Sequence, residues 1–123
     1  MEKLHFKATE IENGINEFNI LVLGFYEENH YLVIQMTLPP DFDSLPSFMK
    51  TYHIERDDQS YGNYGGVGQI ILNRQQLKLI PDANGQSHLQ CTEIVVDIEL
   101  DDEHFLKLQD SLTKIFKDAF RLV

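Results

Sequence analysis

The chain has 123 residues with a single cysteine, and its twenty aspartates and glutamates outnumber its ten lysines and arginines, for a formal net charge of −10. This length predicts one domain with a core large enough to fold without disulfides or a structural metal. The lone Cys91 excludes an internal disulfide. The acid excess disfavours binding to nucleic acids and to anionic membranes, and it favours a basic protein partner.

The first half of the chain predicts four strands. Apolar and polar residues alternate from Leu4 to Ala8, and Asn13–Gly14 is a strong signal for a two-residue hairpin turn into the second strand. Pro39, Pro40 and Pro46 predict a long irregular connection before the fourth strand. The remaining strands of this half are predicted at residues 17–26, 31–38 and 51–56.

The second half predicts three more strands. The segments "VGQIILN" and "QLKLI" form two strands joined tightly at Asn73–Gln76, and "PDANGQ" predicts a turn. In "TEIVVDIEL" the apolar residues alternate with Glu93, Asp97 and Glu99. This pattern is typical of an antiparallel strand with one face in water.

The end of the chain predicts a helix, because the apolar period changes from 2 to 3.6. Asp101 or Asp102 is a suitable N-cap. The whole chain, residues 1–123, is therefore predicted as a single α+β domain: a mostly antiparallel sheet of about seven strands with one C-terminal amphipathic helix packed on it. The apolar stripe of that helix comprises Phe105, Leu108, Leu112, Ile115 and Phe116.

The segment "DDQSYGNYGGVGQ" at residues 57–69 holds four of the seven glycines. It lacks the lysine and the following helix of a phosphate-binding loop, so we interpret it as a loop that projects its tyrosines toward a partner. The alternative is a glycine-bearing hairpin whose tyrosines cover a sheet edge. The candidate partner-binding residues are Asp57, Asp58, Tyr61 and Tyr64, and the acids at positions 27, 28, 41 and 43 would add steering charge.

No catalytic, metal-binding or cofactor-binding residue is predicted. None of the five histidines has the helical i, i+4 spacing of a zinc enzyme, and Cys91 has no base near it in sequence. A histidine cluster assembled by the fold remains open. We expect neither a metal nor a nucleotide to be needed for folding.

The compartment is predicted from what the sequence lacks. No apolar run approaches the ~20 residues of a membrane-spanning helix, and the first residues do not resemble a secretory signal. With one cysteine and a hydrophobic share of 42 %, the composition is that of a soluble protein of the reducing cytoplasm.

The order of several motifs resembles the immunity protein 10 family of bacterial polymorphic-toxin systems. The resemblance covers residues 31–116 and is carried by "DQ" at Asp58–Gln59, "YGG" at Tyr64–Gly66 and "DDEHF" at Asp101–Phe105. It implies a protein that is not an enzyme and that neutralises a cognate toxin by binding it. A basic toxin would agree with the acid excess. The alternative is a small cytoplasmic ligand-binding or regulatory α+β domain without catalytic activity, and an enzyme is the third choice.

Overall fold

Two five-stranded sheets and two α-helices make up the fold, in a computed structural model that describes residues 1–123. Helix α1 spans Ala83–Leu89 and helix α2 spans Asp102–Phe116. The strands are β1 Glu2–Lys7, β2 Glu10–Ile15, β3 Ile20–Tyr26, β4 Tyr31–Thr37, β5 His53–Arg56, β6 Asp58–Tyr64, β7 Val67–Leu72, β8 Gln76–Pro81, β9 Cys91–Asp97 and β10 Phe120–Leu122. Short 3-10 turns lie at Asp41–Ser44, Ser47–Met49 and Lys117–Ala119.

The strands divide between the sheets largely by their position in the chain. Sheet B is an antiparallel meander in the order β2-β3-β4-β5-β6. Sheet A has the order β1-β9-β8-β7-β10, and its two outer pairs, β1 with β9 and β7 with β10, are parallel. The predicted α+β class with mostly antiparallel strands is confirmed, although the strands number ten and form two sheets.

One apolar cluster joins the two sheets and helix α2. It takes alternate residues from β1, β3, β4, β7, β8 and β9, and it includes the stripe predicted for the C-terminal helix. All five residues of that stripe are buried. Asp101 is the N-cap, because its carboxylate accepts a hydrogen bond of 2.8 Å from the His104 backbone N–H. The predicted helix and its packing are therefore confirmed.

The hairpin turn predicted at Asn13–Gly14 is wrong, because both residues lie inside β2. The chain reverses between β2 and β3 instead, where the Asn16 side chain accepts hydrogen bonds from the N–H groups of Phe18 and Ile20. Asn19 completes this turn with a positive φ of 59°. Asn16 thus supplies the local hydrogen bonds of the turn, and Asn19 supplies its left-handed backbone geometry, in place of the predicted Asn13–Gly14.

The glycine- and tyrosine-rich segment is not a loop, which corrects that interpretation. Asp58–Tyr64 forms β6, the edge strand of sheet B, and pairs with β5. The turn into β7 is confined to Gly65 and Gly66, which have φ values of 74° and 93°. Ladder hydrogen bonds with β5 outweigh the weak strand propensity of glycine here.

The segment "PDANGQ" contains the start of helix α1 rather than a turn. Asp82 caps the helix by accepting a 2.8 Å hydrogen bond from the Gly85 N–H. The helix packs against β6. Gly85 makes this approach possible, because a Cβ atom on it would lie 2.0 Å from the carbonyl oxygen of Gly66. A seven-residue helix with two buried residues, Gly85 and Leu89, has too short an apolar stripe to be recognised from periodicity.

We expect Gly85→Ala to lower the free energy of unfolding by about 1–3 kcal/mol or more, because the backbone of α1 must move away from the β6–β7 turn. Gly14→Ala is the matched control, since a Cβ atom there meets nothing within 4 Å. Urea unfolding of both variants measures the difference. Equal stabilities would show that the contact between Gly85 and Gly66 is not tight.

Neither α-helix has the length and apolar character that crossing a bilayer would require.

Candidate functional site

The outward-facing side of sheet B, here called the sheet B face, combines carboxylates with tyrosines. Along each strand the residues that point into the core alternate with residues that point outward. The pairing of the strands places Glu12 beside Gly24, Gly24 beside Val33 and Val33 beside Glu55. The neighbouring rows bring Tyr26 next to Tyr31, Gln35 next to His53, and His53 next to Tyr64.

Two tyrosines on this face donate hydrogen bonds to glutamates of adjacent or nearby strands. The Tyr26 hydroxyl donates to Glu12 over 2.8 Å, and the Tyr31 hydroxyl donates to Glu55. Partial burial, together with these carboxylates, raises the pKa of Tyr26 to about 12 and also raises the pKa of Tyr31. The phenols therefore remain neutral donors at physiological pH, and each glutamate side chain has further acceptor sites for a partner.

No cation offsets these acids on the sheet B face. Arg56 is the only lysine or arginine in strands β2 to β6, and its side chain is buried on the opposite side of the sheet. The outer side of sheet A is different. There Lys3 and Lys78 both pair with Glu93, and Lys7 pairs with Glu99 over 2.7 Å. The acids on the sheet B face therefore lack the lysine partners that Glu93 and Glu99 have.

A half-open pocket with a mixed apolar and polar lining lies at one end of the sheet B face. It has a volume of about 200 Å³ and is called the Tyr64 pocket here. The Tyr64 ring contacts His53 edge-on, with 4.9 Å between ring centroids, and Phe48 edge-on at 5.7 Å. Phe48 is itself exposed. The apolar walls are Ile20, Met36, Leu45 and Met49.

Two of the four predicted partner-binding residues lie at the surface of β6. Tyr64 sits at the pocket, at the end of the strand, and Asp58 is exposed at its beginning. The Asp58 carboxylate accepts hydrogen bonds of 2.9 Å from the Ser60 N–H and hydroxyl, and these bonds lower its pKa. Five residues of the strand lie between them and separate the two groups, so they would contact different parts of a partner.

The other two predicted residues, Asp57 and Tyr61, surround Arg56. The Tyr61 ring stacks under the guanidinium at 4.2 Å, and Asp57 accepts a hydrogen bond of 3.2 Å from Arg56 Nη1. Asp57 also accepts from the Tyr31 N–H over 2.9 Å and lies 3.1 Å from His30 Nδ1. Arg56 in turn donates to the carbonyls of Leu89 and Gln90 at the end of α1. These residues connect the two sheets.

The sequence interpretation missed the glutamates and tyrosines of the central strands. Glu12, Glu55, Tyr26 and Tyr31 are spread over four strands and meet only when the strands pair. One signal was available: alternation in "HIER" places Glu55 on the face opposite Ile54 and Arg56. That pattern reveals which face a residue occupies, but it does not reveal which strands become neighbours.

No group of three or more histidine, cysteine, aspartate or glutamate side chains is arranged to hold a metal ion. Cys91 is buried, and that burial raises the pKa of its thiol. The five histidines are instead found in separate local contacts, such as His5 with Asp97 and His104 with Asp101.

The tyrosines of this solvent-facing sheet belong to a residue type that is enriched at protein–protein interfaces. The family model described as Immunity protein 10 matches residues 7–109, and the chain therefore belongs to that family. The match begins at Lys7, the last residue of β1, so it includes β2 and β3, which lie before the residues on which the resemblance rested. A search of curated proteins and a search of solved structures each gave no match. Membership in the family gives the chain an immunity role.

Proposed function

We propose that this protein neutralises a cognate bacterial toxin domain in the cytoplasm by binding it directly through the sheet B face. The observation that carries the proposal is the one-sided charge of this face: Glu12 is exposed, Glu55 is partly exposed, and no lysine or arginine of strands β2 to β6 balances them. Family membership supports the general role. The face and the nature of the partner are our inference.

The charge of the sheet B face favours a basic partner. Complementary potential accelerates encounter and suppresses wrong partners, and its effect decreases with ionic strength. The tyrosines supply contact area that is already ordered, because Tyr26 and Tyr31 are fixed by hydrogen bonds to the glutamates. Little side-chain entropy is then lost on binding. The acids therefore set the rate of association, and the tyrosines set the lifetime of the complex.

The volume of the Tyr64 pocket favours this function over small-molecule binding. Sites for small ligands and cofactors generally have volumes of about 300–1,000 Å³ and bury most of the ligand. The Tyr64 pocket, at about 200 Å³, is smaller than that range. A larger hollow of about 430 Å³ beside Glu12 and Tyr26 has only four lining residues and is widely open to solvent, so it would not enclose a small ligand. The Tyr64 pocket is suited to a single side chain of a larger partner. We therefore prefer a protein partner to the ligand-binding or regulatory alternative.

The four residues predicted from the sequence remain part of the proposal, with different contributions. Tyr64 is proposed as a direct contact at the pocket, and Asp58 as a charged contact at the rim. Asp57 and Tyr61 are proposed to act by holding Arg56, and with it β5 and β6, in place. This division separates an effect on affinity from an effect on stability.

We expect Tyr64→Ala to weaken binding of the toxin domain by about 2 kcal/mol or more, chiefly through faster dissociation. Tyr61→Ala is the matched control. It removes the ring under Arg56, so it should lower the stability and leave the affinity nearly unchanged. Surface plasmon resonance with the toxin domain encoded beside this gene measures the affinity, and urea unfolding measures the stability. The reverse pattern would place the interface at Tyr61 rather than at the pocket.

A further inference from the structure

We infer that the Tyr64 pocket receives one large apolar side chain from an extended, basic segment of the partner, with a lysine or arginine two residues away that pairs with Glu55. This inference rests on the proposed function, because it specifies the chemistry of the partner at the same face. It predicts a short sequence pattern in the partner: an apolar residue, then any residue, then a lysine or arginine, in either direction. That pattern follows from the size of the pocket and from the position of Glu55, two residues beyond the lining residue His53 on the same strand.

The pocket has the size and lining for a phenylalanine, leucine or methionine side chain. An apolar cavity of about 150 Å³ in another protein binds benzene, and the Tyr64 pocket measures about 200 Å³. Two of its walls are methionines, Met36 and Met49, whose flexible thioether side chains adapt to different apolar shapes. The Tyr64 and His53 rings, which meet edge-on, add aromatic surface to the lining.

An exposed aromatic ring, Phe48, lies beside the pocket in a turn without buried residues. Phe48 is 67 % exposed and lies edge-on to Tyr64. Its 3-10 turn, Ser47–Met49, contains no buried residue, and neither does the preceding turn, Asp41–Ser44. Few core contacts therefore oppose a shift of Phe48 when a side chain enters. Covering Phe48 with a partner would also remove exposed aromatic surface from water.

The spacing of residues along β5 sets the distance from the pocket to the Glu55 carboxylate. Glu55 follows His53 by two residues on the same side of β5, which is about 7 Å along the strand. In an extended partner segment, side chains two residues apart also share a face and are spaced by about 7 Å. An apolar side chain in the pocket thus brings a cation two positions away over the Glu55 carboxylate.

Nuclear magnetic resonance of the full chain, titrated with capped peptides, tests this inference. The probe is Lys-Ser-Phe-Ser-Lys, which carries a cation two residues from the phenylalanine in either direction. We expect it to shift the Met36 and Met49 methyl signals and the Tyr64 amide. Lys-Ser-Ala-Ser-Lys lacks the anchor and should bind about tenfold more weakly, because little apolar surface is buried. Glu-Ser-Phe-Ser-Glu should also bind more weakly, because Glu55 repels it.

Two protein variants locate the peptide. Met49→Gln makes one wall polar without a change in charge or length, and it should weaken binding of the phenylalanine peptide about threefold or more. Leu106→Gln makes the same kind of change at an exposed position on α2 and should have no effect. Equal binding of the phenylalanine and alanine peptides, or shifts located away from the pocket, would overturn the inference.

The same variants separate this inference from the proposed function. A toxin domain that binds the Met49→Gln protein with undiminished affinity would overturn the anchor and leave toxin binding intact. If the phenylalanine peptide occupies the pocket but the toxin domain does not bind the protein, the anchor site is supported and the proposed toxin partner is contradicted.

Discussion

Replacement of Arg56 by methionine is expected to lower the free energy of unfolding by about 3–5 kcal/mol. The guanidinium donates to the Leu89 carbonyl over 2.8 Å and to the Gln90 carbonyl over 3.2 Å, so it caps the C-terminal end of α1. Methionine keeps the apolar stem but leaves these carbonyls without their donor. It also removes the cation that Asp57 and the Tyr61 ring contact.

Arg74→Met is the matched control for this prediction. Arg74 also pairs with a carboxylate, Asp102, and also lies over an aromatic ring, Phe105, but it is about 40 % exposed. Surface pairs of this kind contribute about 0–1 kcal/mol, so the loss should be small. Urea unfolding measures both. A similar loss for the two variants would mean that the burial of Arg56 does not make its contacts stronger.

Replacement of Leu112 by alanine should cost about 2–5 kcal/mol of stability. Leu112 is fully buried at the centre of the stripe on α2, in the apolar cluster that both sheets share. Alanine would leave a cavity that the surrounding strands close only in part, and the loss of transfer free energy adds to the cost of that cavity. Helix propensity is not a cause, because alanine is the better helix former.

Leu106→Ala provides the comparison for Leu112→Ala within the same helix. Leu106 is 58 % exposed, so its truncation should change the stability by less than about 0.5 kcal/mol. Denaturant unfolding of the two variants reports on the packing of α2 directly. A loss below about 0.5 kcal/mol for Leu112→Ala would show that the stripe faces a partner or the solvent instead of the core.

The features of the fold that depend on local pattern could be predicted from the sequence. Alternation predicts most of the strands, and a 3.6-residue period with an aspartate before it predicts α2. The parallel pairing of β1 with β9 could not be predicted, because the two strands are far apart in sequence. Helix α1 could not be predicted either, because it is short and is held by contacts of Gly85 and Arg56 with distant segments.

The candidate site shows the same limit. The segment at residues 57–69 was singled out for its glycines and tyrosines, and Tyr64 does lie at the pocket. Tyr61 faces the opposite way, because successive side chains of a strand alternate and Arg56 provides a stacking partner. The acidic row of Glu12 and Glu55 depends on the pairing of four strands, which composition alone does not specify.

The most direct test of the central claim is the rate at which the cognate toxin domain associates with a Glu12→Gln, Glu55→Gln double variant at low and high salt. Glutamine keeps an acceptor for the hydroxyls of Tyr26 and Tyr31. The control, Glu93→Gln with Glu99→Gln, makes the same change in charge on the outer side of sheet A. We predict association about tenfold slower at low salt for the first variant only, with the difference reduced at high salt. Equal association rates for the two double variants would contradict the assignment of the interface to the sheet B face.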